Sequence, residues 1–200
     1  LVTMRIFEPA SKLRSLELME QFFGIKHSRK SYYKIAPQCV DLKEKVEMSV
    51  VDFAKEHYSF NFDIVFYDVT TLYFETFEED ELRKNGFSKD NKSQQPQILV
   101  ALMVTKEGFP IAFEIFSGNT FEGHTIIPTI KNFIGRNKVK EFTVVADAAM
   151  ISSENITQLN QNEINYIVGA RMGNLSIKLL ETVDKQIVRE DGKSIRIKTE

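Results

Sequence analysis

The sequence predicts an α/β fold: a mixed five-stranded sheet flanked by helices and preceded by a small helical region. Three observations lead to this prediction. Apolar residues recur at helical spacing before residue 60. Short runs of β-branched and aromatic residues follow from Ile64 onward. The first three runs are joined by turns or loops and the last two alternate with helical segments, which favours antiparallel pairing first and right-handed parallel crossovers later, with helices on both faces.

Two helices are predicted in the N-terminal region, residues 1–60. The first spans 10–23, where Leu13, Leu16, Met19 and Phe23 share a face, and the second spans 41–57. The connector 26–34 holds four Lys or Arg, one His and two Tyr. This composition suits phosphate contact and base stacking, and it equally suits a solvated loop.

Five strands are predicted, at 64–70, 98–104, 111–116, 142–146 and 166–169. The second run is apolar at every position, as in a strand covered on both faces. A turn at 106–108 makes the second and third strands a hairpin. The charged stretch 75–97 separates the first two strands. In it, the acidic run 78–81 is interpreted as a solvated helix start and 83–89 as a loop that faces a substrate.

Two helices are predicted between the later strands. Thr125 caps the first, with Pro128 in its first turn, and Ser152 or Ser153 caps the second, at 154–161. Beyond Arg171 the sequence becomes polar and alternates weakly through Ile187, Val188, Ile195 and Ile197, which is interpreted as a hairpin. The predicted domains are a helical region 1–60, a core 61–172, and a polar segment 173–200, which the family resemblance described below implies to be the start of a β-rich insertion.

Composition excludes several classes of protein. With 42% apolar residues and 16 Phe the chain is not wholly disordered, and no apolar run is long enough to span a membrane. A single cysteine, Cys39, excludes a disulfide framework and favours the cytoplasm. A net charge of −2 argues against a binder driven by charge alone. The absence of an initial Met and the polar last residues lead us to expect a fragment of a longer protein.

Two carboxylates stand out by their position. Asp68 interrupts an apolar strand, and Asp147 follows a strand directly, at the edge where ligands of α/β sheets bind. If the strands are neighbours, the two acids face each other and repel unless a cation joins them. Oxygen ligands without nearby Cys or His suit Mg²⁺ or Mn²⁺, and a pair of such ions supports in-line phosphoryl transfer. The alternative is that a strand-end aspartate such as Asp147 serves only a turn.

Other polar residues are weaker candidates. His124 is interpreted as an exposed residue at a helix start, and Cys39 has no neighbouring base that would make it a nucleophile. Glu75 and Glu114 could approach the two aspartates, but placement at the surface or on an edge strand is favoured for both.

Several segments together resemble the bacterial insertion-sequence transposases of the DDE type. They are the first-aspartate segment 67–75 (YDVTTLYFE), 81–90 (ELRKNGFSKD), 96–98 (PQI), 108–110 (GFP), 116–120 (FSGNT), the second-aspartate segment 144–150 (VVADAAM) and 166–171 (YIVGAR). Their order and spacing over residues 60–172 make the resemblance specific.

The resemblance implies a ribonuclease-H-like core, shared with retroviral integrases, with Asp68 and Asp147 as catalytic residues and metal ligands. Two Mg²⁺ ions, replaceable by Mn²⁺, would be held by two Asp and one Glu. Glu181, Glu190 and Glu200 lack the Tyr and Arg that accompany the third acid in this family, so none of them is assigned.

The implied function is DNA transposition, by hydrolysis at the element ends and strand transfer into target DNA. The partners would be DNA and, in the intact protein, further copies of the chain. The alternatives are a nuclease that cuts without joining, and an inactive remnant that binds DNA or another subunit.

Overall fold

The computed structural model describes residues 2–60, 62–87, 94–137, 139, 141–150, 152–169, 173, 175–191 and 193–195. The chain forms two compact units, residues 1–56 and 57–200. The domain limits predicted at residues 60 and 172 stay a prediction. Within the described ranges, no helix combines the length and the apolar character that crossing a bilayer requires.

The first unit is helical, as predicted. Its helices are α1 (Val2–Phe7), α2 (Lys12–Phe23), α3 (Arg29–Val40) and α4 (Lys43–Tyr58). Ser11 caps α2 by accepting a hydrogen bond from the amide of Arg14 at 3.1 Å, and Gly24 ends it with a φ of 65°. Helices α2 and α4 confirm the predictions for 10–23 and 41–57.

The basic connector 26–34 is the main correction in this unit, because most of it belongs to α3. Ser28 caps this helix, accepting from the amide of Ser31 at 3.0 Å, and Pro37 is accommodated inside it. No α3 side chain is buried, and the basic and aromatic residues at the start of this helix were interpreted as a connector.

The second unit contains the predicted mixed sheet. Its strands lie in the order β3-β2-β1-β4-β5, antiparallel among the first three and parallel for β1-β4 and β4-β5. The strands are β1 (Ile64–Tyr73), β2 (Gln97–Thr105), β3 (Pro110–Ser117), β4 (Thr143–Ala146) and β5 (Asn165–Val168). This topology confirms the ribonuclease-H-like sheet.

One face of the sheet carries the core. Helix α5 (Ile126–Asn137) joins β3 to β4, and α6 (Ser153–Gln161) joins β4 to β5. Both connections cross the sheet in the same direction, so right-handed crossovers put both helices on the same face. Buried strand residues alternate toward them, and α5 contributes Ile130 and Phe133 to the same core. Ser152 is the cap of α6, accepting from the amide of Asn155 at 3.0 Å.

The opposite face of the sheet is less buried among the described residues. Phe66, Leu102 and Phe113 are each more than a third exposed there. The sheet is flanked by helices, as predicted, whereas helices on both faces stay a prediction. The second face of β2 is only partly covered, since Ile98, Val100 and Val104 are partly buried and Leu102 is exposed. The continuous apolar run of β2 does not imply two covered faces, since its alternate residues differ in burial.

The C-terminal part of the second unit also differs from expectation. Residues Ile177–Gln186 form helix α7, capped by Ser176, where a polar, β-rich segment was predicted. Leu179, Leu180 and Val183 are partly buried at helical spacing. The described residues 187–191 and 193–195 form no strand, and Ile197 lies outside the described residues.

Candidate active site

Asp68 lies on the less buried face of the central strand. Along β1, Val65, Tyr67 and Val69 point into the core, so that Asp68 between them points outward and is exposed. It is paired in register with Leu102 of β2. Its carboxylate makes no hydrogen bond or ion pair with other described residues, so it is held in place by the strand alone. Exposure also removes the desolvation cost that a buried acid would carry.

Asp147 occupies the turn directly after β4. Its Oδ1 accepts a hydrogen bond from the amide of Ala149 at 2.8 Å, and its carbonyl accepts from Met150 at 3.2 Å. The predicted turn function is therefore present. The turn uses only Oδ1 of the carboxylate. It therefore orients the side chain and leaves Oδ2 without a partner among the described residues.

The register of the parallel pair brings the two acids level. Phe66 of β1 lies opposite Val145 of β4, and two further residues along both strands lead to Asp68 and Asp147. Neighbouring strands are about 4.8 Å apart, and a step of two residues returns to the same face. Asp68, in the middle of β1, and Asp147, directly after β4, therefore each follow this paired position by two residues.

Two neighbouring carboxylates form an electrostatically unfavourable pair that a divalent cation would relieve. Their oxygens are the hard donors that Mg²⁺ and Mn²⁺ prefer. Among the described residues, no group of three His, Cys, Asp or Glu side chains is arranged to hold an ion. The pair fits a metal as a partial site, and its role as a metal ligand set stays a prediction.

The residue before Asp68 is anchored in the core. The Tyr67 hydroxyl lies 2.6 Å from Oγ1 of Thr125, which precedes α5, and burial raises the pKa of Tyr67 to about 12. Thr125, which was predicted to cap α5, lies directly before this helix, and its hydroxyl donates to the carbonyl of Glu122 at 2.6 Å. Sequence reasoning missed this anchor, since a tyrosine in a strand has no distinctive pattern.

Residues 82–87, which we call the strap, lie across the end of the sheet. Lys84 and Gln97 exchange two backbone hydrogen bonds of 3.1 and 2.9 Å, and the amide of Gly118 donates to the carbonyl of Leu82. A Cβ on Gly86 or Gly118 would overlap neighbouring backbone. Lys84 and Gly86 of the predicted substrate-facing loop therefore lie against the sheet end, and residues 88 and 89 lie outside the described residues.

The acidic run before the strap forms turns instead of the predicted helix start. Asp80 accepts hydrogen bonds from the amides of Leu82 and Arg83, and the backbone bond from Arg83 is the main cause of its lowered pKa. Glu79 accepts from the amide of Asn85, which lowers its pKa as well. These carboxylates organise the strap.

Comparison with known proteins decides the family. The sequence model described as "Transposase DDE domain" matches residues 60–200, more than half of the chain. The chain belongs to the DDE transposase family. This confirms the resemblance to transposases of the DDE type, and the bacterial insertion-sequence origin stays a prediction. No curated protein matches the chain by sequence.

Solved structures of transposases are similar to this DDE transposase chain at low identity. A Mos1 transposase paired-end complex with the left transposon end is 8% identical, with a TM-score of 0.37, 92% of this chain covered and 68% of that one. A piggyBac synaptic complex with hairpin DNA is 11% identical, with a TM-score of 0.40, and the match covers 74% of this chain and 32% of that one. The Drosophila P element strand transfer complex is 13% identical, with a TM-score of 0.38, and the match covers 96% of this chain and 45% of that one. The chain thus spans less than half the length of the last two.

The remaining candidates of this DDE transposase lie at exposed or edge-strand positions. Glu114 is on edge strand β3, in an ion pair with Arg136 of α5 at 2.9 Å. Glu75 and His124 are exposed, His124 in a short 3-10 turn. Cys39 is an exposed thiol on α3 of the first unit. These placements agree with the surface and edge-strand interpretations.

Proposed function

We propose that Asp68 and Asp147 are two of the metal ligands of a transposase, and that the intact protein hydrolyses a phosphodiester at the element ends and transfers the freed 3′-hydroxyl to target DNA. The observation that supports the proposal is the register of β1 and β4, in which Phe66 lies opposite Val145, two residues before Asp68 and Asp147 respectively. Both lie within the matched family domain, residues 60–200.

DDE transposases use divalent metal ions, and we propose two Mg²⁺, with Mn²⁺ as a substitute. Such ions, when bound, lower the pKa of water and stabilise the attacking and leaving oxygens of an in-line displacement. The chain's own contribution is to position the two carboxylates. Asp68 sits on the central strand, and the Ala149 amide orients the carboxylate of Asp147. A third acidic ligand would complete the site, and no residue of this sequence is assigned to that role.

The first test is metal binding by this chain, observed by NMR with substoichiometric Mn²⁺. We expect amide signals of residues next to Asp68 and Asp147 to broaden first. Asp68→Asn and Asp147→Asn should each abolish the selective broadening. Asp63→Asn is the matched control, because Asp63 is an exposed aspartate just before β1, at the other end of the same strand pair. Broadening that is unchanged in both site variants would contradict the proposal.

The second test distinguishes transposition from its alternatives, using the longest open reading frame that contains this chain. With labelled DNA carrying the element ends and Mg²⁺, a transposase yields cut ends and joined products. Cut ends without joining would favour a nuclease on the same core. DNA binding without cutting at any Mn²⁺ concentration would favour an inactive remnant that binds DNA.

Two further parts of this proposal concern partners and origin. DNA is the partner that the reaction requires, and we propose that the intact protein acts as a homo-oligomer encoded by a bacterial insertion sequence. Light scattering of the intact protein with and without element-end DNA tests the assembly, and a single-copy mass in both conditions would contradict it.

A further inference from the structure

Asn155 of α6 is a buried polar side chain to which the proposed reaction assigns no role. It is 5% exposed, and its side-chain nitrogen donates to the carbonyls of Gly123, at 2.6 Å, and Met150, at 2.8 Å. A side-chain amide has two N–H donors, so Asn155 satisfies both carbonyls at once. It therefore links the short turn before α5 to the short turn after β4.

The bond to Met150 leads to the second aspartate. Met150 ends the short turn that follows β4, and its amide donates to the carbonyl of Asp147 at 3.2 Å. The amide of Ala149, in the same turn, donates to Oδ1 of Asp147 at 2.8 Å. Because Asn155 binds the last carbonyl of this turn, a shift of Asn155 would move the backbone that orients the carboxylate.

The bond to Gly123 leads to the first aspartate. Gly123 lies in the 3-10 turn 122–124, which is followed directly by Thr125. The hydroxyl of Thr125 lies 2.6 Å from the hydroxyl of Tyr67, the residue before Asp68. Hydrogen bonds and one short turn therefore connect the side chain of Asn155 to the part of β1 that carries the aspartate.

The turn at Gly123 is packed closely enough to transmit the position of Asn155. A Cβ on Gly123 would lie 2.8 Å from the ring of Phe121 and 3.6 Å from Nδ2 of Asn155. Gly123 is buried, and Thr125 is 0% exposed. Close-packed interiors deform little, so a displacement at one end of this path is passed on to the other end.

We propose that Asn155 is a positioning residue of the metal site, and that its two hydrogen bonds set the position of Asp147 relative to Asp68. The pairing of β1 with β4 ends at Phe66 and Val145, two residues before each aspartate. The path through Asn155 connects the two acids beyond that point. This inference rests on the proposed function, in which both aspartates bind metal.

The position of the two carboxylates determines which ion they favour. Mg²⁺ requires a near-ideal octahedral arrangement of ligands, whereas Ca²⁺ accepts a flexible one. Replacing a residue that orients a metal ligand typically lowers metal affinity by about 10–100-fold. Loosening the turn that carries Asp147 should therefore weaken the binding of Mg²⁺ more than the binding of Ca²⁺.

The test is Asn155→Ala, which removes both donors and adds no charge. Mn²⁺ binding by this chain is followed as NMR broadening next to Asp68 and Asp147, with Mg²⁺ or Ca²⁺ added as a competitor. We expect the variant to bind Mn²⁺ about tenfold more weakly and to lose more affinity for Mg²⁺ than for Ca²⁺. A variant that merely unfolds more easily would lose both affinities by the same factor. Equal losses, or unchanged Mn²⁺ binding, would overturn the proposal.

Two further variants locate the effect. Asn160→Ala is the matched control, because Asn160 is exposed in the last turn of the same helix, and this variant should bind Mn²⁺ like the unmodified chain. Tyr67→Phe removes the hydroxyl at the other end of the path and keeps the ring, so it should also lower the preference for Mg²⁺ over Ca²⁺. It tests the path even if Asn155→Ala does not fold. An unchanged preference in Tyr67→Phe would overturn the proposal.

Hydrogen exchange in EDTA gives a measurement that needs no metal. The amides of Ala149 and Met150 both donate to Asp147. We expect these two amides to exchange faster in Asn155→Ala than in Asn160→Ala. Equal exchange in the two variants would show that Asn155 does not hold the turn, and the proposal would fail.

The failure of this inference is distinguishable from that of the proposed function. Broadening that is lost in Asp68→Asn and Asp147→Asn but unchanged in Asn155→Ala would leave the metal site and remove the role of Asn155. Broadening that is unchanged in both aspartate variants would contradict the proposed function and this inference together. Faster exchange in Asn155→Ala would then show only that Asn155 holds the turn.

Discussion

The hydroxyl of Tyr67 donates a hydrogen bond to Oγ1 of Thr125, 2.6 Å away, and so ties the strand that carries Asp68 to the start of α5. The direction of the bond follows from proton counting. Thr125 has one hydroxyl proton and donates it to the carbonyl of Glu122, so Tyr67 must be the donor. The residue adjacent to Asp68 is therefore fixed in the core although Asp68 itself is exposed.

Removing this hydroxyl should lower the stability of the second unit. We expect Tyr67→Phe to cost about 1 kcal/mol of unfolding free energy, because Thr125 loses its donor in a buried position. Urea denaturation measures this loss of unfolding free energy, provided that the m-value of the variant is unchanged. Tyr166→Phe is the control, since the partly buried Tyr166 has no hydrogen-bonded hydroxyl among the described residues. Equal stability of the two variants would show that the bond contributes nothing.

The same tyrosine makes stability depend on alkaline pH. Burial raises the pKa of Tyr67 from 10.0 to about 12, so the folded state favours the neutral phenol. Its contribution is complete below pH 10 and is lost as the pH rises to about 12, since the unfolded chain ionises first. A pKa shift of about two units corresponds to a change in unfolding free energy of ~3 kcal/mol at most.

The measurement compares the chain with Tyr67→Phe across this range. The variant lacks the phenol, so its unfolding free energy should fall less steeply between pH 10 and 11.5 than that of the unmodified chain. Using the difference between the two proteins removes the effect of lysines and other tyrosines that titrate in the same range. Parallel curves would contradict the raised pKa.

A pair of glycine substitutions should change stability in opposite directions. In Gly118→Ala, the new Cβ would overlap the backbone carbonyls of Gln97 and Lys84, so the strap must move and we expect a loss of 2 kcal/mol or more, an order-of-magnitude value for disrupted packing. In Gly135→Ala, the Cβ meets nothing within 4 Å, and alanine favours the helix by about 1 kcal/mol. Thermal unfolding of both variants gives the signs, and a neutral Gly118→Ala would contradict the close packing.

The sheet was predictable because its strands differ in composition from everything around them. Runs such as 64–70 and 98–104 are β-branched or apolar over strand length, and the connections between them fix parallel or antiparallel pairing. Asp68 and Asp147 were identifiable for the same reason, since each is an acid at an unusual place relative to a strand. The strand ends were less predictable, and β1 runs on to Tyr73.

The features that were missed depend on contacts between distant residues. The side chain of Gln97 binds carbonyls 10 and 21 positions away, and no local pattern distinguishes it from a solvated glutamine. The same holds for the bond between Tyr67 and Thr125, which spans 58 positions. Helix α3 begins with the basic and aromatic residues that were interpreted as a connector, and the helical spacing of the apolar residues of α7 was not identified.

The aspartate pair should oppose folding in the absence of metal and support it in the presence of metal. Two neighbouring carboxylates repel, so in EDTA we expect Asp68→Asn to be equal to or a few tenths of a kcal/mol more stable than the unmodified chain. Added Mn²⁺ binds only the folded pair and should raise the melting temperature of the unmodified chain by mass action. Asp68→Asn should show little of this increase, so the order of stability reverses.

The control for this reversal is Asp63→Asn, which removes one negative charge near the other end of β1 and leaves the pair intact. It should respond to Mn²⁺ like the unmodified chain. Asp147→Asn provides an independent check, because an asparagine oxygen still accepts the hydrogen bond from Ala149 and preserves the turn. If Mn²⁺ raised the melting temperatures of all four proteins equally, the ion would bind elsewhere and these aspartates would not form its site.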